Sequence, residues 1–184
     1  VKNKNLFLVL AIYGAGITNL QGQTPTRTAR ELLAQAVREA SGSHKNIFLV
    51  FHASWCGWCR KLNGALNDPS IQGLFRKNYV IIPVTVNENN GKKYLETPGG
   101  NALSQQFGGR GQGLPYWVIL DSTGHFLANS RFDGGTSDLL TPNNMGCPAT
   151  AQEVSGFVRV LRNTSLLSEQ ELHQVGQIFL KNNE

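Results

Sequence analysis

Two cysteines separated by two residues, in Trp55-Cys56-Gly57-Trp58-Cys59-Arg60, constrain this chain more than any other stretch. They follow the apolar run Ile47-Phe48-Leu49-Val50-Phe51-His52-Ala53, which has the length and the β-branched and aromatic character of a buried strand. The residues after it read as a helix, so the cysteines fall on a helix's first turn. Unpaired N–H groups and the positive end of the helix dipole favour a thiolate at Cys56 there. Cys59 follows about one turn along the same face, close enough to close a small disulfide ring. A dithiol so placed can attack a disulfide, form a mixed disulfide and resolve it internally. Cys56 is the candidate nucleophile and Cys59 the resolving thiol. A static disulfide and half of a zinc site are the alternatives. Zinc needs four ligands, and the sequence offers neither a second Cys-x-x-Cys nor a nearby histidine pair.

A second stretch agrees with the first: Gly113-Leu114-Pro115-Tyr116-Trp117-Val118-Ile119-Leu120-Asp121, followed by Ser122-Thr123-Gly124. Strand-Trp-Cys-Gly-x-Cys-basic resembles the active site of the thioredoxin superfamily, and the second stretch resembles its cis-proline with the strand and turn after it. The resemblance spans roughly residues 46–131. It implies an α/β fold, a thioredoxin-like three-layer sandwich with a central mixed β-sheet and extra N-terminal and C-terminal helices. It also implies an exposed Cys56 and a buried Cys59. By similarity, Trp55 shields the disulfide and lines the peptide surface, and Trp58 occupies the variable dipeptide that tunes the potential. Leu114 would present backbone groups to an extended substrate segment, and Pro115 would fill a position where a donor side chain could capture metal. An ordinary turn proline is the blander reading of Pro115.

This chain departs from the family's pattern at two places. Thioredoxins carry a buried acid where Val50 stands, and a partnering lysine on the next strand, where Pro83-Val84-Thr85 stands instead. His52 shares Val50's strand face and lies four residues before Cys56, so it is the candidate substitute for proton handling. Packing at a strand end is the competing reading. Relatives that oxidise often have histidine in the variable dipeptide; the indole of Trp58 has no charge to stabilise a thiolate, which favours the reductase direction.

The first residues, Val1-Lys2-Asn3-Lys4-Asn5, precede an apolar stretch from Leu6 to Ile17. A short basic head and about a dozen apolar residues predict a signal peptide over 1–22, leaving a thioredoxin-like domain over 23–184 and an extracytoplasmic, periplasmic or secreted, location. An uncleaved membrane anchor or a core helix is the alternative, and a membrane would be a partner only in the former case. The formal net charge of +5 falls to +3 without Lys2 and Lys4, too mild to argue for nucleic acid.

Thr24 to Ala40 reads as an amphipathic helix with a Thr28-x-x-Glu31 capping box, stopped by Ser41-Gly42-Ser43. Helices are expected over 60–66 and 70–77, and a strand over 79–86 whose Pro83 argues for an edge, a bulge or a bend. Between 87 and 113 only Asn101 to Phe107 looks helical. The glycines at 108–113 lack the ending of a phosphate loop and read as a flexible approach to Pro115. Strands at 116–120 and 125–130 form a hairpin, and 131–148 is a loop. Two capped helices follow, from Thr150 to Arg162 and from Ser168 to Lys181. Trp117 reads as core. Cys147 is an odd thiol that could reach Cys56 or Cys59 only if the 131–148 loop folds over the site; otherwise it is buried or incidental.

The function these readings support is thiol–disulfide exchange on protein or peptide disulfides, with no cofactor and with an unknown thiol/disulfide electron-transfer partner. A non-catalytic peptide-binding or chaperone module and a copper metallochaperone are the rival classes.

Overall fold

A computed structural model describes residues 27–132 and 143–183. The expected signal peptide over 1–22 and a domain start at 23 lie outside the described residues, as does the middle of the 131–148 loop.

Four strands form one mixed sheet of order β2-β1-β3-β4: β1 (Asn46–His52), β2 (Tyr79–Thr85), β3 (Tyr116–Leu120) and β4 (Phe126–Asn129). β1 runs parallel to β2 and antiparallel to β3, and β3 pairs antiparallel with β4 through a turn in which Gly124 has φ +91°. Pro83 sits on β2, an outer strand, as a residue without an N–H requires.

Alternation along β1 and β3 divides the core between two faces. Phe48, Val50, Trp117 and Ile119 face α2 (Gly57–Leu66), α3 (Gln72–Asn78), α5 (Ala151–Thr164) and α6 (Glu169–Leu180). Ile47, Leu49, Phe51, Tyr116, Val118 and Leu120 face α1 (Ala29–Ser43) and α4 (Gly100–Gln106). Both faces are covered, which explains why the strands read as continuous apolar runs rather than alternating ones. The first face is aromatic: the Phe157 ring lies 4.8 Å from Phe179 and 5.4 Å from Trp117, and each such side chain stabilises the fold by roughly 1.5–3 kcal/mol through burial.

The three capping boxes read from sequence, at Thr28/Glu31, Thr150/Glu153 and Ser168/Glu171, each start a helix. α1 begins at Ala29 with Thr28 as its cap; the expected start at Thr24 lies outside the described residues. It passes through the expected stop at Ser41-Gly42-Ser43 to end at His44, whose left-handed backbone (φ 53°) returns its N–H to the Ala40 carbonyl. The hydroxyl of Ser43 meets the Glu39 carbonyl and that of Ser41 the Ser122 carbonyl, so the serines are accommodated without breaking the turn. The expectation of a single helical stretch between 87 and 113 is also corrected: a 3-10 helix spans Asn90–Leu95. None of its residues is buried, so no apolar periodicity announces it.

Candidate functional site

His52 ends the inner strand β1, and Ala53-Ser54-Trp55 turns the chain into α2, the Cys56 N–H donating to the Ala53 carbonyl at 3.1 Å. Cys56 is the cap of α2, and its Sγ accepts from the Cys59 N–H at 3.1 Å. Cys56 and Cys59 form a disulfide with Cα atoms 5.2 Å apart. Both are buried, at 3% and 6% exposure, which corrects the expectation of an exposed first cysteine. Ala53 from the preceding turn and Leu114 from the distant proline loop pack onto the pair. The exposed surface around it belongs to Trp55 and Trp58, each 50% exposed, with the Lys61 ammonium 5.2 Å from the centre of the Trp58 ring.

The Leu114–Pro115 bond is cis. Its loop is held by a segment in which the sequence shows no pattern. The Asn144 side-chain amide donates to the carbonyls of Gly113 (2.8 Å) and Pro115 (3.0 Å), and the Trp117 indole donates to the Gly146 carbonyl at 2.8 Å. Gly146 has φ +55°, and a Cβ there would lie 3.3 Å from the Pro115 carbonyl oxygen. This segment carries Cys147 to a cavity of about 530 Å³ shared with Trp58, Leu114 and Pro115. Cys147 is nonetheless outside any disulfide and buried, with the Asn182 amide 3.3 Å from its sulfur. Burial pushes its thiol up to about 12; Lys61 opposes the rise and Glu153 adds to it.

Glu88 and its neighbours brace the turn before the cysteines, and sequence reasoning misses them among ordinary loop polarity. The buried Glu88 carboxylate accepts from the Ser54 N–H (2.5 Å) and hydroxyl (2.8 Å), and those bonds, the backbone one foremost, hold its pKa below the usual carboxylate value. Asn87, left-handed at φ 53°, turns its carbonyl towards the Trp55 indole at 2.8 Å. The Glu96 carboxylate takes the Glu88 N–H at 2.7 Å and pairs with Lys93. The available signal is an acid just beyond a strand that ends beside the Cys-x-x-Cys turn.

His52 is half-buried, its Nε2 3.4 Å from the Thr85 hydroxyl. Burial lowers its pKa and the Glu88 charge opposes that. Val50 and Pro83 face one another across β1 and β2 and line, with His52 and Cys59, a second cavity of about 540 Å³. Among the described residues no three His, Cys, Asp or Glu side chains gather as metal ligands, and no helix is long and apolar enough to cross a membrane.

A family model described as thioredoxin-like matches residues 28–122, half of the chain. The chain belongs to the thioredoxin-like family. Solved structures share the likeness. A disulphide isomerase from Xylella fastidiosa Temecula1 is 21% identical, with 89% of this chain and 97% of that one covered and a TM-score of 0.49. The DsbH oxidoreductase is 21% identical over 88% and 95% of the two chains, TM-score 0.44. The C-terminal domain of Neisseria meningitidis DsbD in its oxidised form is 24% identical over 56% and 82%, TM-score 0.42. No curated protein sequence matches. A thioredoxin-like chain with a Cys-x-x-Cys disulfide has the equipment of a thiol–disulfide oxidoreductase.

Proposed function

We propose that this chain is an extracytoplasmic thiol–disulfide oxidoreductase acting on protein or peptide disulfides through Cys56 and Cys59, as a reductase. The observation that carries the reading is the Cys56–Cys59 disulfide at the start of α2 with Leu114 of the cis-proline loop packed upon it. In the reduced state the Cys56 thiolate attacks one sulfur of the substrate disulfide. The substrate S–S bond breaks, a mixed disulfide forms and one substrate thiolate leaves. Cys59 then attacks the Cys56 sulfur, the second substrate thiolate departs, and the two electrons gained by the substrate leave the pair oxidised. A dithiol partner must supply two electrons to restore it. Trp55, Trp58 and Leu114 offer an apolar surface, and the Leu114 backbone an edge, for an extended client. The uncharged Trp58 supports the reducing direction.

Turnover of insulin disulfides by the reduced chain, absent in Cys56→Ser, is the expected result. Equal behaviour of the two would sink the enzyme reading in favour of a peptide-binding module, which the buried sulfurs beside two half-exposed indoles also suit. A reduction potential near about −270 mV supports a reductase, and one near about −120 mV reverses the direction.

A further inference from the structure

A cavity lies beside Cys59, and Val50 and Pro83 in its lining have no group that could carry a proton. Phe48, Val50 and His52 project from one face of β1 in steps of two, and Cys59, Asn63 and Leu66 line one face of α2. Where the two stripes diverge at the end of β1 they leave about 540 Å³, lined by His52, Ser54, Cys59, Arg60 and Asn63 besides apolar side chains. Most of its lining is apolar, but it opens to solvent and is roomy enough for water, with His52, Ser54 and Asn63 as the polar side chains a water there could meet. His52 and Cys59 line it together, and the carboxylate that could otherwise serve, Glu88, is engaged with Ser54.

We infer that His52 is the proton acceptor for Cys59, acting through water in this cavity during resolution of the mixed disulfide. This role rests on the exchange reaction proposed above and drives its second step. The Cys59 thiol gives its proton by way of water to neutral His52. The Cys59 sulfur forms the bond to Cys56, the bond from Cys56 to the substrate sulfur breaks, and the substrate leaves with that electron pair. It collects a proton from the imidazolium or from water, which returns His52 to its neutral form. Burial keeps His52 neutral near pH 7, the form that can accept. The charged and titratable groups around it come from each neighbouring element: Glu88 beyond β2, with Lys92 close to Glu88, and Arg60 and Cys59 from α2. Thr85 on β2 supplies only a hydroxyl.

Stopped-flow reaction of the reduced chain with one equivalent of 5,5′-dithiobis(2-nitrobenzoate) separates the steps without a client. The first release of the nitrothiolate reports Cys56, and the second, unimolecular release reports Cys59. In His52→Gln the ratio of second to first rate is expected to fall about tenfold at pH 7. The deficit should close above about pH 9, where a thiol ionises unaided. Imidazole added to His52→Ala should restore the second phase. A deficit constant with pH, or no deficit, overturns the inference, as does failure of imidazole to rescue a folded His52→Ala. Absence of any second phase in the wild type would instead sink the exchange reaction itself, so the two failures are distinguishable.

Discussion

Three sulfurs lie near one end of this fold, and their surroundings make opposite chemistry of the same atom. Cys56 caps a helix, where backbone N–H groups and the dipole favour negative charge, and Cys59 stands one turn along the same helix. Cys147 belongs to an irregular segment and lines a cavity with Leu114 and Pro115, with an amide from Asn182 as its neighbour, and burial holds it as a thiol. Nearness to the site does not make a thiol part of it; the local field does.

The sharpest way to break that contrast is substitution. Cys56→Ser should take insulin reduction to the background rate, whereas Cys147→Ala should leave it within about twofold. A Cys147→Ala chain without turnover would mean that the third sulfur takes part in exchange.

Labelling sharpens the same contrast by orders of magnitude. With a thiol at about 12, Cys147 is thiolate at pH 7 to the extent of only on the order of 10⁻⁵. Iodoacetamide on the reduced protein should therefore modify Cys56, with Cys147 labelled only after denaturation, as peptide mass spectrometry would show. Early modification of Cys147 would contradict its raised pKa.

Alkaline stability follows from the same group. The folded chain holds the Cys147 proton up to about 12, while an unfolded chain loses it around the ordinary value of 9.0. Folding therefore favours the protonated form: its contribution is complete below pH 9 and is lost as pH rises towards 12. Tyr79, raised by burial from 10.0 to about 12, acts in the same direction over the upper part of that window. Chemical denaturation between pH 9 and 12 should show stability falling, with a shallower fall in Cys147→Ala. An unchanged slope in that variant would leave Tyr79 as the source.

How much of this molecule is legible in its sequence depends on whether a signal is local. The Cys-x-x-Cys on a strand-to-helix step, the capping boxes and the proline that consigns β2 to an edge are each written within a few residues, and the fold reproduces them. Glu88 meeting Ser54 across 34 positions, and Asn144 meeting Gly113 across 31, leave no such trace. The burial of Cys56 belongs with these, because the residue that covers it, Leu114, comes from a distant loop. Short-range pattern places the reacting atoms; long-range contacts decide how they are braced and covered.

The smallest effect probes that bracing through two glycines that share a backbone conformation and differ in neighbours. Gly111 has φ +72° with nothing within 4 Å of where a Cβ would stand; Gly146 has φ +55° with the Pro115 carbonyl oxygen at 3.3 Å and its Cδ at 3.6 Å. Alanine at either position incurs the left-handed strain of about 1–2 kcal/mol. Only at Gly146 must the cis-proline loop also give way by a few tenths of an ångström. Gly146→Ala should therefore cost more in urea denaturation, by up to about 1 kcal/mol, because rigid packing rather than a flexible side chain opposes the new methyl. It should also slow insulin reduction, since Pro115 and Leu114 move with that loop, while Gly111→Ala should not. Equal costs in stability and unchanged turnover in both would mean that the segment bearing Cys147 merely lies beside the cis-proline loop without holding it.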